Sequence, residues 1–328
     1  MAVWARDFRV SAITLDIDNG SLTPIRGIVT ASAQSNTEIE AEQSAASITA
    51  DTVIQKRVRP TIQFSTVDLP SAIAAFGLTG KCIIADVDDE GLAFFGQKQA
   101  CSGVASGSVH DKYLLKNALV VPNSLTVDHQ GSAMISYDVY TRYDGTSAPI
   151  VYTQNNALPS VSEGPIGRWT MYELTVASNI VTGKRNIGIN FGANVTQEGA
   201  DSEIYDSVVS LGSLLPVLTC RGVDTSWISS IAPLLGVYGT QVNSHLWLKR
   251  RDKGLADTTH IKLDFAGMIA IDNIFNFSLQ APGEASFSVT IPVRRSTRYA
   301  VESNAVPRLL EASMGVMLVI DVTGHSRR

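Results

Sequence analysis

The chain is predicted to be mainly β: two tandem, related β-sandwich or partly closed barrel domains, each with one short α-helix. Three observations carry this. Stretches rich in Val, Ile, Thr, Phe and Tyr alternate apolar and polar residues, between turn formers. Landmarks repeat in the same order along the chain. Nowhere does a long helical period set in. The repeat is clearest where His110-Asp-Lys-Tyr-Leu-Leu-Lys-Asn-Ala-Leu-Val-Val-Pro-Asn123 aligns without a gap to His260-Ile-Lys-Leu-Asp-Phe-Ala-Gly-Met-Ile-Ala-Ile-Asp-Asn273. Upstream, the segment from Pro60 to Asp68 matches Pro216 to Asp224, and downstream Gly131 to Tyr140 matches Gly283 to Pro292.

In order, the first domain (1–145) is expected to hold strands at 8–18, 24–33, 57–66, 81–87, 115–127 and 133–142. A helix opens at Asp68, with the Asp as cap and Pro70 inside the first turn. Residues 28–55 also drift polar and acidic and are expected to form a long exposed loop, as are 189–210. Gly- and Ser-rich 93–109 is expected to be a flexible loop or an extended hairpin. A linker follows at 146–167, dense in Asn, Pro, Ser and Gly. The second domain (168–295) is expected to carry strands at 170–178, 185–195, 214–221, 244–250, 260–265, 268–279 and 285–294, and a helix from Thr225 to Leu235. The C-terminal extension, 296–328, contains a helix candidate at 307–313. It also contains an apolar run up to Ile320 that wants a sheet edge, its own or a neighbour's.

Composition narrows the function. The net charge is −5, without the clustered basic residues of a phosphate-gripping protein. The N-terminus carries charge where a secretory leader needs an apolar core. No apolar run approaches the roughly 20 residues of a bilayer span. Cys82, Cys101 and Cys220 follow no metal or disulfide spacing, which suits assembly in a reducing cytoplasm. The five histidines, at 110, 129, 245, 260 and 325, form no metal motif, and no nucleophile elbow, P-loop or dinucleotide fingerprint is present. His110 and His260 occupy equivalent places and read as packing or hydrogen-bonding residues. Asp86, Asp88, Asp89 and Glu90 lack the alternating spacing of a calcium loop. No cofactor, metal or catalytic residue is expected, and the chain is read as not an enzyme. Carboxylate pairs of the glycosidase kind stay open, since they meet only in the fold.

The turn around Asp86, Asp88, Asp89 and Glu90 is acidic, and the corresponding turn around Lys249, Arg250, Arg251 and Lys253 is basic. In head-to-tail rings opposite charges of this kind would set register, so these eight residues are candidate inter-subunit contacts. As exposed hairpin tips they would contribute only about 0 to 1 kcal/mol per pair.

The tandem β organisation, the helical segments at Asp68–Phe76 and Asp224–Leu235, the long polar loop after the second strand and the acidic, cysteine-poor composition together resemble the major tail tube proteins of long-tailed bacteriophages. The resemblance covers residues 8–295, rests on organisation rather than a motif, and leaves the extension unexplained. It implies a virion structural protein that assembles in the host cytoplasm. Hairpins would join into an inner barrel, and duplicated chains would form trimeric, pseudo-hexameric rings stacked into a conduit for DNA ejection. Implied partners are the chain itself, the tape measure protein and the tail terminator and distal tail proteins, with DNA passing through unbound. Two alternatives accompany it: another ring component of the virion, such as a distal tail, baseplate hub or tail-completion protein, or a glycan-binding or hydrolytic β-sandwich.

Overall fold

The computed structural model describes residues 8–16, 23–43, 45, 48–85, 89–98, 108–159, 166–200, 203–224, 242–255, 260–278, 281–291 and 319–321. Among the described residues the fold is mainly β, with one short helix and several antiparallel sheets. The chain forms two compact units, and each takes a segment from the other half of the sequence. The first comprises Met1–Asn123, Ile135–Ile166 and Asn194–Ser213; the second comprises Ser124–Met134, Gly167–Ala193 and Leu214–Arg328.

The first unit begins with β1 (Phe8–Asp16), β2 (Thr23–Ile25) and β3 (Ile28–Gln34). A single strand was expected at 24–33. It breaks at Gly27, whose φ of +64° is left-handed backbone that a Cβ-bearing residue adopts only at a cost. The 28–55 segment, expected as a loop, is instead β3 followed by a two-stranded ribbon of β4 (Thr37–Glu42) and β5 (Thr52–Val58). The polar drift had hidden a period-2 alternation, Glu38-Ile39-Glu40-Ala41-Glu42. Next come β6 (Thr61–Thr66) and α1 (Leu69–Phe76).

Helix α1 lies where predicted, with Pro70 in its first turn. Asp68, however, makes no side-chain cap. Its carboxylate sits 3.7 Å from Arg26 Nε, while its backbone N–H donates to Thr66 Oγ1 at 3.0 Å. The helix holds because Leu69, Ala72, Ile73, Ala75 and Phe76 are buried, and in so short a helix packing outweighs capping. It ends at Gly77, whose N–H bonds to the Ile73 carbonyl.

After β7 (Lys81–Ile84), β8 (Gly91–Lys98) runs antiparallel to β9 (Ser108–Leu115), so the described ends of the segment expected as a flexible loop or extended hairpin at 93–109 are paired strands, while residues 99–107 lie outside the described residues. Then follow β10 (Asn117–Asp128), β11 (Met134–Thr141) and β12 (Val151–Ala157). One sheet of this unit has the order β12-β9-β8-β1-β2; in another, β11 pairs with β6 and β6 with β3. Strict alternation along β11 points Ile135, Tyr137 and Val139 inward. With them pack Phe64, Phe76 and Phe94. The Phe64 ring lies 5.7 Å from Phe76 and 5.8 Å from Phe94, both edge-on, and stacks at 5.5 Å on Tyr137. Burial pushes the Tyr137 phenol well above the usual tyrosine range, so it stays a proton donor, and its hydroxyl donates to the Gly77 carbonyl at 3.1 Å. From the later part of the chain the unit takes a second ribbon, β16 (Ala193–Glu198) with β17 (Val208–Leu214). This ribbon occupies the segment expected as the second exposed loop.

The second unit contains β13 (Trp169–Val176), β14 (Asn179–Ile180), β15 (Lys184–Asn190), β18 (Val217–Gly222), β19 (Val242–Arg250), β20 (Ile261–Ser278), β21 (Ala281–Thr290) and β22 (Val319–Asp321). Two strands were expected at 260–265 and 268–279, but β20 runs through both. Gly267 lets it continue: an added Cβ would stand 2.8 Å from Val289 Cγ1 and 2.9 Å from the Thr290 carbonyl carbon. The strand order is β14-β13-β19-β20-β21-β18-β15, and β22 pairs with the start of β20. The apolar end of the C-terminal extension thus finds an edge in its own chain, Ile320 opposite Leu263. The other edge of β15 takes the end of β10, Ser124 to Asp128 opposite Asn190 to Asn186. The expected helix 225–235 and the helix candidate 307–313 lie outside the described residues.

Cys220 is wholly buried on β18, and burial pushes its thiol up to about 12, against a smaller opposing pull from Lys184. At neutral pH it is a protonated, unreactive core group. A maleimide should therefore label exposed Cys82 in a Cys101→Ser variant and reach Cys220 only after unfolding. Rapid double labelling without denaturant would contradict this packing.

Candidate assembly surface

The charged turns predicted as contacts are only partly described: Asp86 and Asp88 lie outside the described residues. Asp89 is buried at 5% exposure, and Glu90 pairs with Lys112 at 3.0 Å. Lys112 in turn lies over the Phe95 ring, 5.7 Å from its centre. On the basic side, Lys249 and Arg250 end β19, and Arg250 Nε bonds to Asp252 at 2.8 Å. The Arg251 guanidinium donates to the Gln130 carbonyl at 2.8 Å, while the Lys253 N–H caps the turn on the Arg250 carbonyl. Arg250 and Arg251 thus use part of their hydrogen-bonding capacity inside the chain, the first on a neighbouring carboxylate and the second on a backbone carbonyl.

The two equivalent histidines differ. His260 accepts the Arg250 N–H at Nδ1 (3.2 Å) and meets the Gly254 carbonyl through Nε2 at 3.0 Å. Those partners together define the Nε2-protonated neutral tautomer. His110 is completely buried, and among the described residues neither ring nitrogen has a hydrogen-bond partner. Among the described residues no three His, Cys, Asp or Glu side chains are grouped as metal ligands, and no helix is long and apolar enough to cross a membrane. The second unit carries an open depression of about 300 Å³ lined by Thr175, Ser178, Asn243, Ser244, His245, Asp264 and Phe265. His245 of this lining places its Nε2 3.4 Å from Glu173 Oε1, and the hydroxyls of Thr175, Ser178 and Ser244 line the same depression.

The unusual surface is instead the pair of ribbons. Every residue of β4 and the first five of β5 are exposed on both faces, among them Ile39, Val53 and Ile54, and at the ribbon tip Ile48 is 98% exposed. A two-stranded ribbon without a covered face is marginal in water, and exposed apolar residues on open strands invite further pairing. Sequence reasoning missed a cluster at the foot of this ribbon. Asp206, in the turn between β16 and β17, has only 1% of its side chain exposed. Arg59 Nε donates to its Oδ2 at 3.0 Å, and Arg57 Nε approaches Oδ1 at 2.9 Å as an ion pair. Arg59 also reaches Glu38 at 3.3 Å, and the Val58 N–H bonds to the Ile204 carbonyl at 2.8 Å. The tip of the second ribbon is thereby clamped to the foot of the first. Arg57 at the end of β5 and Arg59 just after it, beside Pro60, were the visible half of this signal; Asp206 lies too far along the chain to be linked to them by pattern.

In comparisons with known proteins, no family model matches this chain, and no curated protein matches it.

Proposed function

We propose that this chain is a structural protein: a duplicated β-module that associates head to tail with copies of itself into a closed ring. More specifically, we propose that it is the subunit of a phage tail tube, with three chains per pseudo-hexameric ring. The observation that carries the reading is that β15 has both edges occupied, whereas β3 pairs with β6 alone among the described residues.

The two strands are counterparts. Strands β3, β4, β5 and β6 begin at 28, 37, 52 and 61; β15, β16, β17 and β18 begin at 184, 193, 208 and 217, each 156 residues later. Gly27 and Gly183 precede the two series with φ of +64° and +61°. Matching bonds link Val67 to Gly27 and Val223 to Gly183, both at 3.0 Å, and Arg59 to Ser35 and Leu215 to Phe191, both at 3.1 Å. The order β2-β1-β8-β9 also repeats as β14-β13-β19-β20.

The end of β10 covers β15. By the sequence match of His110–Asn123 to His260–Asn273, the counterpart of that end is Ile274 to Ser278 at the end of β20. Offered by a second copy, it would cover β3 along Thr30 to Gln34. Each chain then supplies one open edge and one strand end, a heterologous contact that closes into rings when its rotation permits. The tail-tube resemblance adds stacking of the rings, contacts with tape measure, terminator and distal tail proteins, and a lumen through which DNA passes.

Negative-stain electron microscopy of the concentrated protein, with mass measured by light scattering, tests this. Three-chain rings stacked into hollow tubes are the expected result, and single rings that never stack would point to another ring component of the virion. Monomers at every concentration would overturn the proposal.

A further inference from the structure

Resting on the ring reading, we infer that the tip of the β4–β5 ribbon of one copy docks on the foot of the β16–β17 ribbon of the next copy. The contact is uncharged, made by Ile48 and Ala50 against Ser213 and Leu215, and it decides which half of a chain meets which.

The argument starts from the clamp already seen inside one chain. There the tip of the second ribbon meets the foot of the first through the backbone bond from Val58 to Ile204 and the ion pairs of Asp206 with Arg57 and Arg59. Moving each participant by the 156-residue spacing gives the contact that a second copy would make. Val58 becomes Leu214, and Ile204 becomes Ile48, so the backbone bond and the tip isoleucine are retained. The charged members all change. Asp206 becomes Ala50, Arg57 becomes Ser213, Arg59 becomes Leu215, and Glu38, the second partner of Arg59, becomes Asn194.

Both sides of the contact therefore lose their charge together, which keeps each pairing internally matched: carboxylate to guanidinium within the chain, apolar tip to apolar foot between chains. In the isolated chain these groups are unburied. Ile48 is 98% and Leu215 51% exposed, and Ala50, Ser213 and Asn194 are exposed as well. A second copy of this chain is the occupant whose chemistry fits, because it presents the other half of the same contact. The cross-pairings are penalised: Asp206 docked against Leu215, or Ala50 against Arg57 and Arg59, would bury charge without a partner. The first ribbon of one chain is thus directed to the second ribbon of another, and the halves alternate around the ring.

The first test is a disulfide. Val58 and Tyr205 are bridge partners within the chain, so Leu214 and Thr49 are the corresponding pair between copies, at a backbone spacing that a disulfide spans. The Thr49→Cys, Leu214→Cys chain, with Cys82→Ser and Cys101→Ser, is assembled, oxidised and run on a non-reducing gel beside a mass measurement of the same sample. Covalent dimers and trimers that collapse on reduction are expected. Rings whose chains remain uncross-linked monomers on the gel would overturn this contact and leave the ring reading intact. If the unsubstituted chain never assembles, the ring reading falls and this contact with it.

The second test swaps the chemistry. Ala50→Asp or Leu215→Arg alone should raise the concentration for half-assembly more than about tenfold, through an unpaired charge at the contact. The two together should restore assembly by recreating the in-chain pair. Both positions are exposed in the single chain, so its circular dichroism should not change. Single variants that assemble like the parent would overturn the proposal.

Discussion

Replacing Phe64 by alanine is expected to destabilise the first unit by about 3 to 5 kcal/mol, the largest loss expected from truncating one core side chain of this unit. Phe64 is wholly buried and touches three other rings, those of Phe76, Phe94 and Tyr137. Truncation removes the transfer energy of a full aromatic side chain. It also opens a cavity that helix, strand and ring neighbours cannot fill, because each is held by its own backbone pairing. Tyr137 would lose its stacking partner while its hydroxyl remains tied to Gly77. Urea denaturation followed by tyrosine fluorescence, with hydrogen exchange along 61–76 and 134–141, measures the loss. A change below about 1 kcal/mol would mean that the four rings do not form the centre of this core.

Substituting Asp206 by asparagine is expected to cost about 2 kcal/mol and to loosen the β16–β17 ribbon selectively. The change keeps the shape and deletes the charge, so Arg57 and Arg59 face each other across an amide. Breaking one side of a buried ion pair costs about 3 to 5 kcal/mol. The two arginine side chains here retain 28% and 30% exposure, and water recovers part of that cost. Hydrogen exchange should accelerate across 203–214 and in β5 while β11 and β18 keep their protection. Uniform exchange in both proteins would show that the ribbon is held without the clamp.

What could be read in the sequence follows from how local the signal is. Helix α1 was legible because Asp68, Pro70 and the spacing of Leu69, Ile73 and Phe76 are a local pattern, even though the cap itself is replaced by contact with Arg26. Strand β11 was legible because its alternation is strict. The ribbon β4–β5 was misread as a loop because alternation between glutamate and small apolar residues, with neither face buried, looks like polar drift. The join of two expected strands into β20 depended on Gly267, whose missing Cβ is felt only against Val289 and Thr290 from another strand.

The sequence by itself determined the β class, the single described helix and the inward face of regularly alternating strands such as β11. All of these are written in side-chain order at separations of a few residues. The tertiary structure alone decided which edges are occupied: that Ser124 to Asp128 lie on β15, that β3 pairs with β6 alone among the described residues, and that Asp206 finds Arg57 and Arg59. Strand edges pair through backbone N–H and C=O groups that every residue shares, so no side-chain pattern marks their partners, and an ion pair spanning 147 residues exists only once the chain has closed on itself.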